Sequence, residues 1–243
     1  MKWTGDGEKE ERRVVDGQRP VRHPAGLREL KKQRTRDALL RVALDLFTTR
    51  GYEETTVDEI AEAVDVSQRT FFRYFASKEE AAFTIQDMVE THFLAELRQR
   101  PSRETPFVAM RHAVLASWSR INEAIEALIP VELHLRTYRM IESTPSLLAA
   151  HLRRATELEE QAALVIAERE GLDVESDPRP RVAVAAFSGV MRVTGRLWGQ
   201  GQETGLDGLL ELTQSYLDQL VPTLAGDWSA RDQPPAPEDS RTV

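Results

Sequence analysis

From Leu27 onward apolar residues recur three and four positions apart, and no stretch alternates apolar and polar residues in β-branched runs bounded by turn signals. That spacing has the helical period, so the pattern predicts an all-α fold of about nine helices. Leu39, Leu40, Ala43, Leu46 and Phe47 share one face of a first helix over 27–50, and Gly51 supplies the left-handed position that ends it. Shorter signals follow closely. Thr56 stands three residues before Glu59, the spacing of a capping box, and opens a short helix over 57–64. Asp65 and Val66 make a tight turn, and Ser67 caps a second short helix over 68–75. Ser77, followed by Glu79 and Glu80, repeats the capping logic and opens a long helix to about residue 99, stopped by Pro101.

Further helices are predicted at about 104–128, 131–142, 145–170, 179–199 and 205–225. Phe107, Val114, Trp118, Ile121, Ile125 and Leu128 give the first of these an apolar stripe. The segment from Val182 to Met191 is apolar in several directions and needs cover on more than one side. With Leu206, Leu209, Leu210, Leu217, Leu220 and Leu224 on the last helix, it predicts a C-terminal helix pair that packs on its own domain and on a second subunit. Residues 1–26 and 227–243, polar and punctuated by proline, read as disordered tails.

Composition narrows the function classes. The chain has no cysteine, which removes thiolate metal sites and thiol catalysis and fits a reducing cytoplasm. No apolar run is long enough for a membrane span, and none near Met1 resembles a signal peptide. Phosphate-loop, H-E-x-x-H and G-x-S-x-G patterns are absent, so the reading is not an enzyme and calls for no cofactor or metal. Gly199, Gly201 and Gly205 have the wrong spacing for a dinucleotide site and read as the loop before the last helix. The net charge of −8 is unevenly spread: residues 27–78 carry 10 basic and 9 acidic groups, whereas residues 79–243 carry 16 and 26. Arg28, Lys31, Lys32, Arg34 and Arg36 bunch together, as do Arg69, Arg73 and Lys78, and a local basic surface attracts phosphate even on an acidic molecule.

The two short helices meet the physical requirements of a helix-turn-helix. Ala61 is small where they cross, and Ile60, Val64, Val66, Phe71 and Phe75 are apolar where they face a core. Gln68, Arg69, Phe72 and Arg73 fall on the other side of the second helix. Read together, Ala43-Leu44-Asp45-Leu46-Phe47, Gly51-Tyr52-Glu53-Glu54-Thr55-Thr56-Val57, Ile60-Ala61, Val66-Ser67, Phe71, Tyr74-Phe75 and Ser77-Lys78-Glu79 resemble the DNA-binding domain of the TetR family of transcriptional regulators. That resemblance implies a DNA-binding unit over 27–77 and a helical ligand-binding and dimerisation unit over 78–226. It also implies a homodimer, joined through the last two helices, that places one recognition helix per subunit on a palindromic double-stranded operator.

By position, the resemblance assigns Ser67, Gln68, Arg69, Thr70, Phe72 and Arg73 to the recognition helix. Thr56 and Tyr74 become phosphate contacts, and Lys78 caps the site. The residue types suit the roles, since Arg pairs bidentately with guanine and Gln with adenine, while Thr, Tyr and Lys fix register on phosphate. Phe72 departs from the family's usual Tyr, and Asp65 from a frequent Gly. The basic stretch from Arg28 to Arg36 is read either as an arm along the DNA or as a solvated helix start.

Residues 66–75 are also similar to a TetR subgroup that includes the mycofactocin regulator, which implies an acyl-CoA-like or otherwise hydrophobic effector. A pocket is expected among the helices over 104–199, lined by Trp118, Tyr138, Met140, Phe187 and Met191, with His134 and Arg136 as polar groups. The expected function is a repressor released from DNA by that effector, acting through the long helix that starts at Lys78. The alternative is a TetR-like DNA-binding protein with a chromosome-organising or protein-partner role and no effector.

Overall fold

The structure, a computed structural model, describes residues 24–201 and 206–226. The predicted tails lie outside them, apart from residues 24–26, which are helical. Among the described residues the elements are α1 (Pro24–Arg50), α2 (Val57–Glu62), α3 (Gln68–Phe72), α4 (Lys78–Gln99), α5 (Pro106–Leu128), α6 (Val131–Ser143), α7 (Pro145–Glu170), α8 (Arg179–Gln200) and α9 (Leu206–Ala225), with no strand. None of these helices is long and apolar enough to cross a membrane.

Local sequence chemistry sets most boundaries. Gly51 ends α1 at φ +108°, and the carboxylate of Glu54 fills the space that a Cβ there would need. The two short helices end earlier than the apolar pattern implies. Val64 and Val66 both donate to the carbonyl of Ala61, and Asp65 takes φ +55°, so the chain turns after Glu62. Asp tolerates that left-handed geometry better than most side chains. Tyr74 and Phe75 close a last turn on the carbonyl of Phe71 beyond the end of α3. Ahead of α4, Ser77 accepts from Glu80 N at 3.1 Å, and the Glu80 carboxylate reaches back to Ala76 N, one residue earlier than a standard capping box.

The buried residues form two clusters. One joins Leu39, Leu40, Leu44 and Phe47 of α1 to Ile60, Phe71, Phe75 and Phe83, then continues through Ile121 and Ile125 of α5 to Leu133 and Ile141 of α6. The other holds Phe93 and Leu97 of α4, Met110 and Val114 of α5, Ile166 of α7, Val184 and Phe187 of α8 and Leu217 of α9. Since α4 contributes to both, it links the N-terminal three helices to the C-terminal bundle. Polar ties reinforce that seam. Arg41 donates to Leu128 O at 3.0 and 3.2 Å, Arg136 pairs with Asp45 at 3.1 Å, and Ser146 Oγ donates to Glu53 at 2.6 Å.

Gly199 is not in a loop as its spacing suggested; it lies inside α8, four residues after Gly195. Both glycines pass under Tyr138, and a Cβ would meet its hydroxyl at 2.5 Å from Gly195 and its ring at 3.1 Å from Gly199. The backbone of α8 is therefore bare where α6 lies against it. Arg139 holds the end of α8, donating to the carbonyls of Gly199 and Gly201.

Candidate functional site

The first site is the outer face of α2 and α3. Thr56 N donates to Glu59 Oε2 at 2.8 Å and Glu59 N donates to Thr56 Oγ1 at 3.2 Å, the reciprocal pair the spacing predicts. The Thr56 backbone N–H and then its hydroxyl, at 2.9 Å, donate to the Glu59 carboxylate and hold it below the usual carboxylate range. Ser67 Oγ accepts from Thr70 N at 3.3 Å and starts α3. Phe71 is fully buried and packs on Phe75 at 5.4 Å between ring centroids, which anchors the short helix to the core. On the opposite side Gln68, Arg69 and Arg73 are exposed, and so is Phe72, with 48% of its surface in solvent. An exposed Phe held edge-on to Phe71 at 5.6 Å is costly for a solvated face and suits one that meets a partner.

The flanks of this face are fixed more tightly than the sequence implied. Arg73 lies over the Tyr74 ring at 5.0 Å and donates to its hydroxyl at 3.3 Å, so the guanidinium and phenol form one unit. Lys78 donates to Tyr52 O at 2.8 Å and to Thr55 O at 2.7 Å, with its ammonium 4.6 Å from the Tyr52 ring centroid. Two of its three hydrogens thus hold the link ahead of α2, leaving one for an outside acceptor. Burial, then Glu79 and Glu53, push the Tyr52 phenol up to about 12. Within the basic stretch of α1, Arg36 stacks over Phe75 at 5.2 Å, whereas Arg28, Lys31, Lys32 and Arg34 are exposed.

The second site is a cavity of about 400 Å³ bounded by α4, α5, α6, α7, α8 and the start of α9. Its extent exceeds the expected 104–199, because Gln86, Glu90 and Phe93 of α4 and Leu209 and Leu210 of α9 line it too. Trp118, His134, Tyr138, Phe187 and Met191 line it as expected. Arg136 and Met140 do not. On α6 each residue turns the side chain by roughly 100°, so positions 134 and 138 share a face while 136 points away from it. Arg136 instead pairs with Asp45, and Met140 is buried in the core shared with α1.

Apolar walls dominate this cavity. Phe93 stacks on Phe187 at 6.2 Å, and Trp198 meets His134 at 5.8 Å and Tyr138 at 5.9 Å, both edge to face. Several polar atoms in the walls have no partner: Gln86 Oε1, Asn122 Oδ1 and His134 Nδ1 are all buried and unbonded. Such atoms are costly unless something fills the space. Burial lowers His134 to about 4, so its imidazole is neutral near pH 7, and burial also lowers His151. Burial, then Asp87, raises the Glu90 carboxyl to about 7, against the opposing pull of Arg154. Sequence reasoning missed Gln86, Glu90, Asn122, His151 and Trp198. The readable signal was Gln86 and Glu90 on the same stripe of α4 as Val89 and Phe93, polar residues where apolar ones belong.

Comparison with known proteins agrees with both halves. Residues 39–81 match the family model described as bacterial regulatory proteins, tetR family, and residues 104–225 match the MftR C-terminal domain. The HTH-type transcriptional regulator TcmR of Streptomyces glaucescens is 47% identical over 203 residues, which is 84% of this chain and 90% of TcmR. The putative mycofactocin biosynthesis transcriptional regulator MftR of Mycobacterium tuberculosis (strain ATCC 25618 / H37Rv) is 28% identical over 183 residues, 74% of this chain and 89% of that one. Among solved structures the SmeT–triclosan complex has the same fold, with a TM-score of 0.54 and 19% identity over 79% of this chain and 91% of SmeT. With a helix-turn-helix at one end, a walled cavity at the other and a relative 47% identical over 84% of its length, the chain belongs to the TetR family of transcriptional regulators, which are not enzymes.

Proposed function

We propose that the protein is a cytoplasmic repressor that binds a palindromic operator as a homodimer and releases it when a small hydrophobic molecule enters the cavity. Residues 27–77 form the DNA-binding unit in this reading, and residues 78–226 the ligand-binding and dimerisation unit. The observation that carries it is the two-sidedness of α6. His134 and Tyr138 face the cavity while Arg136 grips Asp45 of α1, so a shift of α6 on filling the cavity acts directly on the unit that carries α3. A cavity with unbonded polar atoms also favours an effector-responsive regulator over a DNA-binding protein without one. Exposed Val182 and Leu197 on α8, with Val221 and Leu224 on α9, supply apolar surface for a second subunit.

Gln68, Arg69, Thr70, Phe72 and Arg73 act as the reading residues, with Ser67 capping their helix and Thr56 and Tyr74 contacting phosphate. Lys78 acts mainly by pinning the link before α2. Quantitative binding to a selected operator tests this assignment. Arg69→Ala should relax preference at one base pair by about 1–3 kcal/mol. Lys78→Ala should weaken all sequences while changing the salt dependence by less than about one unit of slope. Equal affinity for operator and random duplex, or operator affinity untouched by every cavity ligand that binds, would defeat the repressor reading.

A further inference from the structure

Resting on the reading of the cavity as an effector site, we propose that its ligand is a lipophilic organic amine bound as the cation, its flat body among Trp118, Phe187 and Trp198 and its nitrogen at Glu90.

Three features of the walls point this way. The first is charge. Glu90, Glu159 and Asp207 line the cavity against one guanidinium, Arg192, and Arg192 is already paired with Glu159. The remaining lining carboxylates are Glu90, half-buried, and Asp207, exposed on α9. Arg154, the cation that acts on Glu90 from α7, is engaged by Asp87. A phosphate or carboxylate ligand, including an acyl-CoA-like one, would enter this field with no unpaired basic group among the lining residues to receive it.

The second feature is the supply of acceptors. Gln86 and Glu90 stand four residues apart on α4 and so face the same way. The next helix, α5, returns past α4, approaching it where Ser117 Oγ donates to Val89 O at 3.4 Å, and its Asn122 lines the same cavity as Gln86 and Glu90. Gln86 Oε1, Asn122 Oδ1 and His134 Nδ1 are the unbonded atoms of this cavity, and an ammonium group brings the N–H donors they lack. Aromatic walls are the third feature, because ring faces attract a desolvated cation and accept a planar apolar body equally well.

Glu90 also gives the binding a signature in pH. Its carboxyl feels Asp87 on its own helix and Arg154 and Glu157 on α7, and the other charged or titratable residues lining the cavity are His151 and Glu159 on α7, His134 and Tyr138 on α6, Arg192 on α8 and Asp207 on α9; the polar lining residues of α5, Ser119 and Asn122, are uncharged. Among these groups the carboxyl that burial brings to about 7 is Glu90. A cation binds the ionised form, so its affinity rises as pH rises through about 7.

Three ligands of one shape test the proposal by calorimetry on the full chain: pyrenemethylamine, which stays protonated between about pH 5.5 and 7.5, pyrenemethanol and pyrenecarboxylate. The amine is expected to bind about tenfold tighter than the alcohol at neutral pH, with the carboxylate weakest. Glu90→Gln should erase the amine's advantage over the alcohol. Acidification by about two pH units should weaken the amine roughly tenfold and leave the alcohol unchanged. The proposal is overturned if the alcohol or carboxylate binds as tightly as the amine, if the amine's advantage survives Glu90→Gln or acidification, or if the amine does not bind. Operator release is scored separately. Release by the alcohol or carboxylate sinks the amine inference and leaves the effector reading standing, whereas an amine that binds without release does the reverse.

Discussion

The face built on α2 and α3 and the cavity behind α6 are made in opposite ways. The reading face is assembled from neighbours in sequence: Thr56 with Glu59, Ser67 with Thr70, Phe71 with Phe75. Its polar groups are exposed or bonded, and its rigidity comes from one buried ring under a short helix. The cavity draws on helices spread over more than 120 residues, and it keeps buried polar atoms unbonded. A surface that always meets the same polymer is best complete beforehand, while a site that reports occupancy gains from being incomplete until filled.

That contrast breaks most severely at Phe71. Phe71→Ala removes the ring that seats α3 and should cost about 3–5 kcal/mol, read from chemical denaturation; a loss under about 1 kcal/mol would mean that α3 is not held from beneath. Next comes the buried imidazole of His134. Its folded-state value near 4 lies below the ordinary 6.5, so the unfolded chain takes up the proton first, and stability present above 6.5 drains away as pH falls towards 4. This one group should contribute roughly 3 kcal/mol of that decline. The stability difference between wild type and His134→Gln should therefore shrink on acidification, and a difference constant with pH would show that the ring is not buried neutral. The smallest effect is expected at the reading face: Thr56→Ala breaks the capping box of α2 for about 1 kcal/mol in thermal unfolding. Glu59→Gln should retain most of that stability, because the amide still accepts from Thr56 N.

What could be read from sequence followed the same division. Caps at Thr56, Ser67 and Ser77 are spacing rules three residues long, so the starts of α2, α3 and α4 were legible to the residue. The ends of α2 and α3 were less so: the apolar pattern carries on through Val64 and Phe75, while hydrogen bonding to Ala61 and Phe71 turns the chain. In the cavity, residues on an aromatic-rich stripe were found, and those chosen by type alone were not. Arg136 suits a polar pocket wall by type, but the phase of α6 turns it towards Asp45. Glu90 left a trace in the stripe of α4, but Asn122 could be recognised only once α4 and α5 were set side by side.

The ring of Tyr138 rests in a trough that exists because α8 has no side chains at 195 and 199. Adding a single methyl at either position would tip the phenol towards the cavity and shrink the chamber, leaving the outer face of α2 and α3 untouched. If the proposed function holds, two codons far from α3 act as a size dial, through which the molecule can change what it senses without changing where it sits on a chromosome.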